Sequence, residues 1–145
     1  MAKKFNFTVK VYYEDTDAGG VVYYANYLKY LERARSEAIY SLGYSNSSLA
    51  EKQGILLIVK SCNIQYKKPA RFENELKIVS EATTFTKTSF FMKQNIFRND
   101  ELISEADIHL VAVDKNGKPS KLPDDLRSEE HTSELQSQFR ISYAV

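Results

Sequence analysis

Among 145 residues there is one cysteine, no tryptophan, three prolines and five glycines, and only two histidines. The lone thiol, Cys62, rules out an internal disulfide framework; in a strand-like run such a thiol is expected to serve as a small buried hydrophobe. His109 and His131 stand apart and there is no cysteine cluster, so no metal is expected, because ligands at usable spacing are lacking. Neither a G-x-x-x-x-G-K-[ST] phosphate loop nor the G-x-S-x-G elbow of a Ser-His-Asp hydrolase occurs. Long apolar runs are missing too. Stretches such as Gly54 to Val59 are far too short for a bilayer, and the N-terminus has no signal-type apolar core, so the expectation is a cytoplasmic protein without an integral membrane segment. Charge of one sign is not in excess either: 20 Lys and Arg face 19 Asp and Glu. Without a global field to attract a polyanion, dedicated nucleic-acid binding is not expected, although a local basic patch can still meet phosphates.

What is present is a hydrophobic content of 43%, enough for one compact domain that buries about two-thirds of its unfolded surface. From Phe5 to Tyr13 apolar residues fall at every second position, which predicts a half-buried strand. After a turn-like segment from Asp15 to Gly20, Tyr27, Leu31, Ala34, Ala38 and Leu42 recur at steps of three or four, and Gly43 supplies a stop. This spacing predicts one long helix. Four more β-rich segments follow, about Leu56 to Tyr66, Leu76 to Phe85, Ser89 to Phe97 and Leu102 to Val113. In the last, Ala106, Ile108, Leu110 and Ala112 face one way and Asp107 and His109 the other. Arg98-Asn99-Asp100 reads as a tight hairpin connection and Asn116-Gly117 as a turn. The order implies an α+β fold, one antiparallel five-stranded sheet with a helix across it. The uncovered sheet face makes a homo-oligomer a reasonable expectation.

This domain is assigned to residues 1–126. Residues 127–145 are set apart: Arg127 to Ser137, RSEEHTSELQS, read as a translated sequencing-library adapter, and Gln138 to Val145 are grouped with them. The alternative is an ordinary C-terminal helix capped by Ser128.

Chemistry is densest in YYEDTDAGGVVYYANY, Tyr12 to Tyr27, where Glu14, Asp15 and Asp17 precede Gly19-Gly20 and the helix start. Unpaired amides in a first helical turn, backed by about half a charge of dipole, stabilise an oxyanion while a nearby carboxylate attacks or activates water. Thioester hydrolysis needs both functions. Asp and Gly also favour plain turns, so spacing alone leaves that reading open.

The string EDTDAGGVVYYANYLKYLERARSE, Glu14 to Glu37, and SCNIQYKKPARFENEL, Ser61 to Leu76, resemble the 4-hydroxybenzoyl-CoA and Tol-Pal-associated thioesterase branch of the hotdog superfamily. The likeness spans about Val9 to Asp114. It implies a hotdog fold, a long helix wrapped by a curved antiparallel sheet, with sites at a dimer interface and dimers often paired into tetramers. It implies acyl-CoA thioesterase activity with no separate cofactor, coenzyme A being part of the substrate. Carried over by position, Asp17 is the catalytic carboxylate and the backbone N–H of Tyr24 polarises the thioester carbonyl. Whether Asp17 is nucleophile or general base stays open. The Tol-Pal-associated branch usually has histidine where this chain has Tyr24. A main-chain donor survives that exchange, whereas any help from a histidine side chain does not.

Other readings stand beside this one. Asp15 fits a turn or structural role better than that of a second catalytic acid. Tyr23, Tyr24, Tyr27 and Tyr30 suit either an acyl pocket, with Tyr23 and Tyr27 as substrate contacts, or the helix–sheet core. Glu32, Arg33, Arg35 and Glu37 read as a solvated or interface helix face, and His109 as a solvated or sheet-bonded side chain. Lys60, Lys67, Lys68, Arg71, Lys87 and Lys93 are candidate phosphate contacts that sequence does not rank. The competing function is a non-catalytic module that binds acyl-CoA or an acyl-carrier protein on the same scaffold.

Overall fold

The computed structural model describes residues 4–124 and residue 126. Strand β1, Lys4–Lys10, leads through a short 3-10 turn and a hairpin into helix α1, Asn26–Ser41; two short helical turns then precede β2, Leu56–Tyr66. Strands β3, Glu75–Phe85, β4, Ser89–Arg98, and β5, Glu101–Val113, complete one sheet. Its spatial order is β1-β3-β4-β5-β2, with every neighbouring pair antiparallel. The segment holding α1 therefore carries the chain from one sheet edge to the other.

The helix follows from its apolar stripe. Tyr27, Tyr30, Leu31, Ala34 and Ile39 are buried along one face, while Lys29, Glu32, Arg33 and Glu37 stay exposed. It ends at Leu42, and Gly43 takes φ 89°, a left-handed conformation that a glycine adopts without a Cβ clash. Facing this stripe are Leu76, Ile78, Phe90, Met92, Ile96, Ala106, Ile108 and Leu110 from the sheet. Each fully buried large apolar side chain contributes about 1.5–3 kcal/mol. Register shifts at Val59/Ser61, Ala82/Thr84 and Ile96/Phe97 interrupt the ladders and bend the sheet. The predicted tight connection is the two-residue turn Asn99-Asp100, with Asn99 at φ 56°.

Three expectations are corrected. The first strand stops at Lys10 instead of reaching Tyr13, because the backbone N–H of Tyr12 donates to Asp15 Oδ2 (3.0 Å) and that of Asp15 to the Tyr12 carbonyl (3.0 Å). Local bonds of this kind compete with the sheet ladder. Cys62 is exposed, not buried. It lies on β2, opposite buried Ile108 and hence on the helix side of the sheet, but α1 sits nearest β1 and β3 and does not cover Cys62. Burial of part of the thiol still pushes its pKa up, against the lowering effect of Arg35. Arg35, read from sequence as part of a solvated or interface face, instead donates from Nη1 to Gln94 Oε1 (3.0 Å), and partial burial lowers its pKa. Gln94, with no exposed surface, in turn donates from Nε2 to the Leu31 carbonyl (3.0 Å) and to Ser80 Oγ (2.9 Å).

Residues 127–145, the suspected foreign tail, lie outside the described residues, and His131 with them. His109 lies on the sheet face away from α1, stacked on Phe91 with ring centroids 4.0 Å apart and planes 8° apart. Its Nε2 is buried with no hydrogen-bond partner, while the residue as a whole is half-buried.

Candidate active site

The acidic, glycine-rich stretch folds as a small hairpin. Asp17 N–H donates to the Val21 carbonyl (2.9 Å), Tyr23 N–H to the Asp15 carbonyl (3.1 Å), and Thr16 pairs with Val22. Ala18, Gly19 and Gly20 form the tip, closed by Gly20 N–H on the Asp17 carbonyl (3.0 Å), with Gly20 at φ 80°. Gly19 N–H donates to Asp17 Oδ1 (2.8 Å), and a Cβ at Gly19 would stand only 3.3 Å from that oxygen. The tip thus supplies a left-handed residue and room beside the carboxylate, the two things glycine provides. Asp17 is exposed.

The hairpin is tied to the loop between β2 and β3. Val22 N–H donates to the Ala70 carbonyl (2.8 Å), and Val21 pairs with Arg71. The buried Tyr27 hydroxyl accepts from Ala70 N–H (3.0 Å). These bonds explain why the two family-like strings, far apart in sequence, belong to one site.

At the helix entrance the N–H groups of Asn26, Tyr27 and Leu28 bond back three residues, to the carbonyls of Tyr23, Tyr24 and Ala25 at 2.8, 3.2 and 3.2 Å. Such 3-10 bonds satisfy donors that an α-helix leaves free. Among the described residues, the amides of Tyr24 and Ala25 have no protein acceptor. The donor read from the sequence, Tyr24 N–H, is thus uncommitted.

The tyrosines divide between core and surface. Tyr27 and Tyr30 are 3% and 1% exposed and belong to the core, whereas Tyr23 and Tyr24 are 48% and 63% exposed. Tyr66 packs edge-on against Tyr24 and Tyr27 at 6.3 and 5.0 Å, and its hydroxyl donates to the Tyr24 carbonyl (3.3 Å). Tyr66 was placed by the sequence only at the end of a β-rich segment; its contact with the helix entrance, 42 residues away, carried no local signal. Asp15, read as structural, accepts at Oδ2 from Tyr12 N–H and from the Tyr30 hydroxyl, each at 3.0 Å. Burial and that bond raise the Tyr30 pKa well above the ordinary phenol value. Of the candidate phosphate contacts, Lys67, Lys68 and Lys93 pair with Glu105, Glu101 and Asp107, while Lys60, Arg71 and Lys87 have no ion-pair partner among the described residues.

An antiparallel sheet with a helix across one face, carrying an exposed carboxylate on a hairpin that leads into a helix with free entrance amides, has the parts for acyl transfer to water. Residues 11–129 match the model of the Thioesterase-like superfamily, and the chain belongs to that family. The fold is the hotdog expected from the sequence. The chain is 36% identical over 128 residues to the acyl-CoA thioesterase YbgC of Haemophilus influenzae, covering 88% of this chain and 94% of that protein. A probable thioesterase from Bartonella henselae superposes with a TM-score of 0.80 at 33% identity, covering 83% of this chain and 99% of the other. The 4-hydroxybenzoyl-CoA thioesterase of Pseudomonas sp. strain CBS-3 gives 0.82 at 21% identity over 88% and 99%, a likeness of fold. Thioester hydrolase, the enzyme class expected from sequence, is the class of these relatives.

Proposed function

We propose that this protein hydrolyses the thioester of a small or medium acyl-CoA to the free acid and coenzyme A. The observation that carries the reading is the hairpin itself: it presents Asp17 exposed, with room at Gly19, on the segment that runs directly into the uncommitted Tyr24 amide. Tyr24 N–H donates to the thioester oxygen as it gains negative charge. Asp17 either takes a proton from the attacking water or adds to the carbonyl itself, giving an anhydride that water then opens. In both routes a C–O bond forms, the C–S bond breaks, and the departing thiolate ends as a thiol. No cofactor beyond the substrate's own coenzyme A is invoked. Arg71 is favoured as a phosphate contact because its backbone joins the hairpin and its side chain has no ion-pair partner among the described residues.

The working form is a homo-oligomer, a dimer or a pair of dimers, assembled on β2. This eleven-residue edge strand carries one charge, Lys60, and exposes Leu56, Ile58, Val59 and Tyr66 by 44–48%. A long apolar edge invites pairing with another strand. A cytoplasmic location fits this reading; among the described residues no helix is long and apolar enough to cross a membrane. The test is free-thiol release from a panel of aliphatic and aromatic acyl-CoA esters, with acyl-carrier thioesters alongside. Turnover of acyl-CoA is expected. Tight binding of acyl-CoA without turnover of either ester class would replace the enzyme with a binding module.

A further inference from the structure

Asp15, two residues before the proposed catalytic carboxylate, occupies a junction that its turn role does not explain. Its carbonyl accepts from Tyr23 N–H (3.1 Å) and from Asn26 Nδ2 (2.9 Å). Its carboxylate accepts from Tyr12 N–H and from the hydroxyl of Tyr30, each at 3.0 Å. One residue thus touches the end of the β1 segment, the returning arm of the hairpin, the first residue of α1 and the second turn of that helix. A closing bond within a turn needs only the first of these.

Tyr30 is almost wholly buried, at 1% exposure, and its ring packs edge-on to Tyr27 at 6.3 Å between centroids. A ring held in this way has little rotational freedom, so its hydroxyl is a fixed point, and a charge-assisted bond from it to a carboxylate is among the stronger single tethers in a protein. The remaining side-chain bonds at this end of α1 reach elsewhere: Tyr27 to Ala70 N–H and Tyr66 to the Tyr24 carbonyl. Among the described residues, only Asp15 makes a side-chain bond joining the helix to the hairpin arm that carries Asp17. Its carbonyl takes the amide of Tyr23, and the next amide along the chain, that of Tyr24, has no acceptor among the described residues.

We propose that Tyr30 and Asp15 form a positioning pair that holds Asp17 in register with the Tyr24 amide. The pair touches no reacting atom. It rests on the thioesterase reading for its effect on rate, but its structural content does not.

Three variants test it: Tyr30→Phe removes one hydroxyl, Asp15→Ala removes the acceptor, and Asp15→Asn keeps an acceptor oxygen. A shift of the site by a fraction of an ångström lowers the rate of the chemical step more than it weakens binding. Tyr30→Phe and Asp15→Ala are therefore expected each to lower kcat about tenfold with KM within about twofold, and the double variant to lose no more than Asp15→Ala alone. Asp15→Asn retains most of kcat. The companion readout is hydrogen exchange of the Tyr23 amide in the folded protein, protected in the natural chain and faster in Tyr30→Phe and Asp15→Ala. Unchanged kcat and unchanged protection in Tyr30→Phe would overturn the proposal, as would losses in the two single variants that simply multiply. If the natural protein turns over no thioester, the reading of its function fails while the amide exchange still decides whether the tether exists.

Discussion

Side chains with several partners govern this molecule at the scale of single residues. Gln94 has no exposed surface, yet its amide satisfies Leu31, Ser80 and Arg35 at once and so fixes α1 against β4 by directional bonds where apolar contact alone would let the helix slide. Gln94→Ala leaves a cavity and strands the Arg35 guanidinium, and is expected to destabilise the fold by about 2–4 kcal/mol. Urea unfolding at neutral pH measures this, and a loss below about 1 kcal/mol would mean that water replaces the amide. Nothing in the sequence around Gln94 announces this role. On β4 it alternates in step with Met92 and Ile96, so the period places it inside, but its partners on α1 are 59 and 63 residues away. The link between Tyr30 and Asp15, 15 residues apart, was hidden in the same way, whereas the turn chemistry of Asp15 followed from local preference.

Among the elements, the strands and the helix were legible because their periods are local and strong. β5 buries Ala106, Ile108, Leu110 and Ala112 as its alternation required. The end of β1 was less legible, since Val11 is buried like a strand residue while Tyr12 and Tyr13 are exposed, Tyr12 bonded to Asp15 and Tyr13 to Thr16. The β4–β5 hairpin carries a small cluster: Glu101 accepts from Lys68 Nζ (2.5 Å) and from Arg98 Nη2 (2.8 Å), and these bonds, Lys68 first, hold its pKa below the ordinary glutamate value. A depressed carboxylate pKa stabilises the fold above the unfolded value and loses that contribution as pH falls through the folded one. The natural protein is therefore expected to be slightly more stable than Glu101→Gln near neutrality, the effect kept small by solvent screening. The gap should close on acidification below the ordinary glutamate range. Thermal unfolding of both proteins across that range checks it; a gap independent of pH would remove the ion pairs as its cause.

For the molecule as a whole, the sequence pattern located β2 but not its place in the sheet: the strand order puts it at an edge, with α1 lying nearer the opposite side. In the proposed homo-oligomer a second molecule covers this edge. Pairing through β2 predicts a dimer or larger species by light scattering, and a lower mass for Val59→Lys, which sets a charge on the exposed edge. An unchanged mass in the variant would move the interface elsewhere. The family and the hotdog fold, in contrast, were legible in the two strings from Glu14 to Glu37 and from Ser61 to Leu76, which the fold joins through Val22 and Ala70. What that junction does is tested by the rate of free-thiol release by the natural protein and by Asp17→Asn, compared at the same oligomeric state. Loss of a positioned base or nucleophile is expected to lower kcat by about 10²–10⁴ while acyl-CoA binding persists. Equal rates in the two proteins would contradict the account.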